Sequence, residues 1–582
     1  MAELLTAAQM RSLEGAAISS GSVSGLQLME RAGQGVVDAI LSEFPDQNAP
    51  LSSSVSPSPF HAVVLCGPGN NGGDGFVIAR LLKTRGWLVE VFFWGAVNNI
   101  PSDAKTNFDA WRKIGAICEI DPKLAGLGEP PDVLIDAMFG TGVKRPIPLD
   151  CAKAYQAVCA RRTHDGAQSS RSAIYKVAVD APSGLDVDNG RFLMPQPPEG
   201  EGETAFSDFL HKDIYPRLLQ PDLCVTFHRA KVGHYLGEFG AKAPVVVDIG
   251  LNTALNSALN IGAKDRSAPH LAGLAEALDV LHLVDPHKAF GSTAHWLKSA
   301  THLARPGHKY DRGHALVFAG GPGRGGAGRM AARAALRVGA GLVTLAVPPS
   351  AVQENAAQLN AIMLSRFDDA VSVLNILEDD RISSVILGPG MGVNDRSRSV
   401  VKAVLNSSGM HRRVVLDADA LSCFADDPQE LFDLCGQHVV ITPHEGEFAR
   451  LFPDLSEKVR NAKTDAPGLS KIDAARMAAK RSGAIILLKG EATVIAFPNG
   501  RASLHSALYH RSAPWLGTAG AGDVLAGMIG GILANPMFAI GLHQAVEAAV
   551  WLHVECARSF GPGLIAEDLP EELPKVFRAL GL

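Results

Sequence analysis

Two stretches of this chain set glycines beside an aspartate in the pattern of an anion site: Asn70-Asn71-Gly72-Gly73-Asp74-Gly75 and Gly517-Thr518-Ala519-Gly520-Ala521-Gly522-Asp523. Each follows an apolar or extended run and leads into a helix-like segment, residues 76–82 in the first case and 524–529 in the second. Glycine lets a backbone approach a ligand closely, and the start of a helix presents unpaired N–H groups and positive potential. A carboxylate is out of place in a pure phosphate cradle and points to proton transfer or a bridging cation. Two unrelated cradles of this kind imply two active sites in one chain.

Further polar residues cluster where strands should end. In the first half they are Asp136-Ala137-Met138-Phe139-Gly140-Thr141-Gly142 and Asp180-Ala181-Pro182-Ser183-Gly184-Leu185-Asp186, followed by Thr226-Phe227 and Lys231. Any one of these reads as an ordinary Gly/Asp/Asn turn. Several in one sheet read as a ligand site, because α/β sheets bind ligands at the carboxyl ends of their strands. A carboxylate in that place serves as general acid or base, and Asp180 is the candidate.

The second half offers Gly388-Pro389-Gly390-Met391-Gly392, Thr442-Pro443-His444-Glu445-Gly446-Glu447 and Lys489-Gly490-Glu491-Ala492-Thr493. Phosphoryl transfer needs donors around the phosphate and a base near the attacking hydroxyl, and Gly520-Ala521-Gly522-Asp523 supplies both. The plain alternative is a helix start whose first-turn aspartate is favoured by the dipole. His444 alone reads as a buried, hydrogen-bonded histidine, but its position beside Glu445 and Glu447 raises the functional reading. Asp417 and Asp419 either assist magnesium or are structural.

The elements needed to position these residues are legible. Thr6 and Gln9 form a capping box for an opening helix, and apolar residues at helical spacing continue through residues 26–41. Strand-like runs then alternate with helical segments at residues 61–66, 87–94, 132–138, 174–179, 223–227 and 244–249. A second series covers residues 314–319, 341–347, 384–387, 413–416, 438–441, 484–488 and 493–497. This alternation implies parallel, doubly wound sheets. The strand pattern lapses between residues 251 and 310, where a helix is expected near residues 268–283. Residues 50–59 read as a Ser/Pro-rich surface loop, and residues 161–171 and 190–221 as loop insertions. The expected division is a first domain over residues 1–262, a linker over 263–295 and a second domain over 296–582. The halves share no self-similarity, so the chain reads as a fusion.

At 582 residues the chain is long enough for two large domains, and 47% apolar with 20% charged residues supplies ordinary globular cores. A net charge of −6 without Lys/Arg runs argues against nucleic acid. The eight cysteines include no CxxC pair, which indicates neither zinc nor a disulfide framework and makes a reducing cytoplasm the default. Neither a signal peptide nor a membrane span is evident.

The motifs of the first half, with Leu28-Met29-Glu30-Arg31-Ala32-Gly33, resemble the NAD(P)H-hydrate epimerase family over residues 1–250. That resemblance implies a Rossmann-like, three-layer α/β/α domain. By it the hydrated dinucleotide would be held by Asn70, Asn71, Gly72, Gly73 and Asp74, wrapped by Gly140, Thr141, Gly142, Val143, Lys144, Arg145 and Pro146, and acted on by Asp180. Potassium would sit on Asn71, Asp136 and Ser183, oxygens that suit a hard monovalent cation.

From about residue 307 onward, His308-Lys309, Gly326-Ala327, Arg333-Ala334-Ala335-Leu336-Arg337, Gly339-Ala340-Gly341 and Leu416-Asp417-Ala418-Asp419-Ala420-Leu421 join the motifs above in resembling the ribokinase-like ADP-dependent NAD(P)H-hydrate dehydratases. This implies a second three-layer α/β/α domain. Ala327, Gly390, His444 and Asp523 would contact the hydrate, and Lys489, Gly490, Glu491, Ala492, Thr493 and Gly522 the adenine nucleotide, with Mg2+ as cofactor and ADP as co-substrate. The fused chain is similar to the bifunctional NAD(P)H-hydrate repair enzymes. The activities implied are epimerisation of R and S hydrates of NADH and NADPH, and ADP-dependent dehydration of the S form, by a cytoplasmic homo-oligomer. The alternative is a sugar or vitamin-precursor kinase fused to a ligand-binding module.

Overall fold

The computed structural model describes residues 2–45, 59–161, 174–193, 214–237, 239–252, 280–285, 292–301, 308–408, 411–460, 468–535 and 542–582. The loop expected at residues 50–59, the insertions expected at 161–171 and 190–221, the helix expected near 268–283 and the linker expected at 263–295 lie largely outside the described residues. Within that last span Leu281–Leu283 is a strand rather than helix, and Thr293–Thr301 is a helix. The chain divides into two compact units. One comprises residues 3–280 with 462–467, and the other residues 281–461 and 468–582 with residues 1–2.

The first unit is built on a parallel sheet in the order Val245–Val247, Leu223–Phe227, Tyr175–Val179, Val133–Ala137, His61–Cys66, Leu88–Phe93, Cys118–Glu119. The central strands are buried on both faces, which is why they read as continuous apolar runs. After His61–Cys66 the chain adds two strands on one side, then crosses to lay Val133–Ala137 on the other. The switch point between those strands is where such a sheet leaves a crevice for ligand. The opening helix Ala7–Ser19 carries the expected Thr6/Gln9 box, and Gly25–Glu43 follows behind a second box of Ser24 and Gln27.

The second unit's sheet runs Leu281–Leu283, Ala502–Ser506, Ala492–Ala496, Ile485–Leu488, Val439–Ile441, Arg413–Leu416, Ile382–Leu387, His314–Phe318, Leu342–Val347, Met363–Arg366. It is parallel except at Ala492–Ala496, which is antiparallel to both neighbours. Its switch point lies between His314–Phe318 and Ile382–Leu387. The helices Gly325–Val338 and Ala521–Leu533 cross in close contact because Gly527 and Gly531 lack side chains. A Cβ on Gly527 would lie 2.1 Å from the Ala331 carbonyl oxygen, and one on Gly531 2.5 Å from that of Ala335. Gly527→Ala is therefore expected to destabilise this unit by about 1–3 kcal/mol through overpacking, read as a lower unfolding temperature in calorimetry. An unchanged transition would contradict the close crossing.

Both glycine-rich stretches belong to helices more fully than their composition suggests. The helix Asn70–Thr84 begins at Asn70, so the whole Asn-Asn-Gly-Gly-Asp-Gly run forms its first turns rather than a preceding loop. Cβ atoms on Gly72, Gly73 and Gly75 would strike the Gly67 carbonyl, Met29 and Cys66 respectively. These glycines let the helix lie directly on the strand ends. The other helix begins at Ala521, after Gly520 in the left-handed region at φ 91°. Among the described residues no helix is long and apolar enough to cross a membrane.

Candidate active sites

At the first switch point a cavity of about 490 Å³ is lined by Asn70, Asn71, Asp74, residues 138–148, Asp180 and, from the opening helix, Arg11 and Glu14. Its size falls in the ordinary range of small-molecule sites. The start of Asn70–Thr84 opens into it with no side chain capping its amides, which leaves them for an anionic ligand.

Asp180 follows the strand Tyr175–Val179 with φ at 63°, a strained setting that an aspartate tolerates better than most residues. Its Oδ1 accepts hydrogen bonds from Thr226 Oγ1 at 2.8 Å and Lys231 Nζ at 3.1 Å. Lys231 is fully buried and also donates to Thr226 Oγ1 and to the carbonyls of Phe227 and Arg229. Burial pushes the Asp180 carboxyl up, but the Lys231 ammonium and the Thr226 hydroxyl outweigh it and hold the group below the usual carboxylate range. Asp180 is thus an ionised carboxylate at neutral pH, suited to accepting a proton.

Asp136 and Ser183 are in direct contact. Ser183 Oγ donates to Asp136 Oδ1 at 2.6 Å and its N–H to Oδ2 at 2.9 Å, while Phe139 N–H donates to Ser183 Oγ at 3.0 Å. Asn71 stands against the next residue of that loop: with its amide turned so that NH2 donates to Val179 O, its oxygen accepts from Gly140 N–H, each at 3.2 Å. Ser183 and Asn71 therefore meet the adjoining residues Phe139 and Gly140, and Asp136 joins them through Ser183 and the Met138 N–H. Burial pushes Asp136 up to about 6 against the hydrogen bonds from Ser183 and Met138. Of the expected wrapping residues, Lys144 is tied to Asp188 at 2.8 Å and Asp186 at 3.3 Å.

In the second unit Asp523 occupies the first turn of Ala521–Leu533. Behind Gly522 lies a partly buried ion pair: Lys489 Nζ donates to the buried Asp417 Oδ1 at 2.6 Å, and Thr442 Oγ1 donates to the same oxygen at 2.7 Å. Glu447 comes within 3.9 Å of Lys489 and closes a capping box with His444, so the expected ligand residue His444 is the N-cap of Glu445–Leu451. Asp419 Oδ2 accepts from Gly392 N–H at 2.8 Å. Burial first and Asp417 second push Asp523 up to about 7, with Lys489 opposing and Asp419 and Glu447 adding. Asp417, Asp419 and Glu447 around Asp523, against the one ammonium of Lys489, leave an excess of negative charge at the start of this helix.

Gly390 and Ala327 come together at the switch point, where a Cβ on Gly390 would meet Ala327 Cβ at 3.4 Å. Of the expected nucleotide contacts, Thr493 turns its hydroxyl to the Gly490 carbonyl at 2.8 Å, and Ala492 and Thr493 are buried strand residues. The sequence names Glu447, Thr226 and Lys231 near strand ends without giving their partners, and it misses Glu14. Those partners and Glu14 are signalled by proximity in the fold, which spacing does not carry.

Residues 25–233 match the family model described as YjeF-related protein N-terminus, and residues 315–575 that described as NAD(P)H-hydrate dehydratase. The bifunctional NAD(P)H-hydrate repair enzyme of Moorella thermoacetica is 31% identical, with 99% of this chain and 97% of that one covered. This chain belongs to the bifunctional NAD(P)H-hydrate repair enzyme family. An NAD(P)H-hydrate epimerase of Rhodobacter capsulatus is 44% identical, covering 40% of this chain and 92% of its own. A solved ADP/ATP-dependent NAD(P)H-hydrate dehydratase of Bacillus subtilis is 26% identical, covering 50% of this chain and 97% of its own at a TM-score of 0.39. In this repair-family chain Asn70, Asp136, Asp180 and Lys231 fall inside the first matched segment, and Ala327, Asp417, Lys489 and Asp523 inside the second.

Proposed function

We propose that this protein repairs hydrated NADH and NADPH, the first unit interconverting R and S hydrates and the second dehydrating the S hydrate at the expense of ADP. The observation that carries the reading is the separation of two carboxylates into two settings. Asp180 shares a cavity with a helix start, and Asp523 stands in the first turn of another helix beside Asp417 and Lys489.

In the second unit the ring hydroxyl attacks the terminal phosphorus of ADP, Asp523 takes the hydroxyl proton, and AMP leaves. The ring phosphate then departs as a neighbouring carbon loses a proton, which restores the dihydronicotinamide double bond. Lys489 neutralises Asp417, and the amides at the start of Ala521–Leu533 face the transferring group. Mg2+ carried by the nucleotide would lie near Asp417 and Asp419, where it would offset phosphate charge. Incubating the protein with mixed hydrates, with and without ADP, tests the reading. NADH absorbance should return only with ADP and with matching AMP. Stoichiometric AMP without NADH recovery would mark a kinase and overturn the repair function.

Potassium fits the first unit at Asn71, Asp136 and Ser183. No Lys or Arg pairs with the buried Asp136 among the described residues, so a cation is the natural counter-charge. With its amide turned the other way, Asn71 would face its oxygen to the Val179 carbonyl, an arrangement a cation relieves. Replacing potassium by tetramethylammonium is expected to slow epimerisation several-fold while ADP-dependent repair of pure S hydrate continues. An unchanged epimerisation rate in rigorously potassium-free buffer would remove the assignment.

A further inference from the structure

Epimerisation asks for more than one proton-transfer group. The hydroxyl of the hydrated ring sits on the carbon beside the ring nitrogen. One route to inversion breaks that C–O bond as the nitrogen lone pair forms a C=N bond, and the leaving oxygen takes a proton. Water then adds to the opposite face: its oxygen forms the new C–O bond, the π pair returns to nitrogen, and the water gives up a proton. A protonated group and an ionised group are both needed, and Asp180 is ionised.

We propose that Glu14 is the second proton-transfer group of epimerisation, giving up its proton to the departing hydroxyl while Asp180 takes one from the incoming water; this rests on the epimerase reading of the first unit. Glu14 lines the same cavity as Asp180, Asn71 and Gly140. Ala7, Met10 and Glu14 recur on one face of the helix Ala7–Ser19. Ala7 packs on Ala181, Leu185 and Val187, and its N–H donates to Asp188 Oδ1 at 2.8 Å. The helix that carries Glu14 is therefore anchored on the very segment that leaves Asp180. No described residue hydrogen-bonds the Glu14 carboxyl. Burial and then Asp180 push it up to about 7, against Lys231 and Arg11.

Two other carboxyls line the cavity: Asp103, in the first turn of the helix Ser102–Arg112 against Gly25, and Asp74 on the helix Asn70–Thr84, which is a poorer candidate. Burial, Asp180 and Glu14 drive it well above its ordinary value, so it stays protonated, and it is buried away from solvent. Glu14 is only half-buried and exchanges its proton with water. One inversion leaves Glu14 ionised and Asp180 protonated; solvent exchange resets the pair, and the reverse reaction uses the same two groups in exchanged roles.

The test follows R and S hydrates of NADH chromatographically with the full-length protein, without ADP and above the spontaneous rate, across pH 6–9. The active form carries one proton on the pair, so the wild-type rate should fall as pH rises through about 7. Glu14→Gln should lower epimerisation about tenfold or more and remove that alkaline fall, since glutamine cannot donate. Glu14→Asp should restore part of both. Repair of pure S hydrate with ADP should be unaffected. A wild-type rate in Glu14→Gln, or a reduced rate that keeps the alkaline fall, would overturn the proposal. Asp180→Asn run in parallel separates the two claims: if it too epimerises at the wild-type rate, the epimerase reading itself fails, whereas a neutral Glu14→Gln beside an inactive Asp180→Asn rejects Glu14 alone.

Discussion

Asp523→Asn is expected to lower ADP-dependent dehydration of the S hydrate by about 100-fold or more, the usual consequence of losing a general base. Asparagine keeps the shape of the first turn of Ala521–Leu533 and the packing of that helix, but does not accept the hydroxyl proton. The pH profile sharpens the expectation. Because burial and Asp417 push Asp523 up to about 7, the base form grows as pH rises, and kcat/KM for dehydration should climb through about pH 7 and level off above it. The asparagine variant should lose that limb. Lys489→Ala should move it to higher pH in the residual activity, because Lys489 is the charge that opposes the rise. Steady-state rates of NADH recovery from pure S hydrate check all three; an Asp523→Asn profile superimposable on wild type would remove Asp523 as the base.

Asp180→Asn should act on the other reaction, lowering enzymatic conversion of R to S hydrate by about 100-fold while pure S hydrate is still repaired. The substitution keeps an oxygen for the hydrogen bonds from Thr226 and Lys231 but removes the counter-charge of a fully buried ammonium. Breaking a buried ion pair from one side costs about 3–5 kcal/mol, so the variant should also unfold at a lower temperature. The chemical loss is distinguished from the structural one by assaying well below that transition, where circular dichroism should match wild type. A folded variant that epimerises normally would show that proton transfer lies elsewhere.

Much of the scaffold for these residues was legible before the fold was seen, because buried parallel strands are continuous apolar runs. Runs such as residues 61–66 and 314–319 coincide with His61–Cys66 and His314–Phe318 to within a residue. Strands that escaped reading had a physical reason to do so. Ala502–Ser506 is fully buried yet carries Ser503, His505 and Ser506, and Met363–Arg366 is an edge strand with exposed ends. The helical nature of residues 70–75 was hidden by glycines, which disfavour helices in general but are needed here for backbone contact with Gly67 and Cys66. The placement of Asp180 after a strand and of Asp523 at a helix start was readable. What tunes them was not: Lys231 reaches Asp180 across 51 residues and Lys489 reaches Asp417 across 72, and no local pattern records such a meeting.

The central claim, two independent active sites in one chain, is tested most directly by mixing variants. Pure R hydrate with ADP, assayed under conditions where spontaneous epimerisation is slow, should be repaired slowly by Asp180→Asn alone and slowly by Asp523→Asn alone. Mixed in equal amounts, the two variants should restore NADH production to about half the wild-type rate per total protein, because the S hydrate made by one diffuses to the other. A mixture of folded variants that remains as slow as either alone would contradict the assignment of one reaction to each unit.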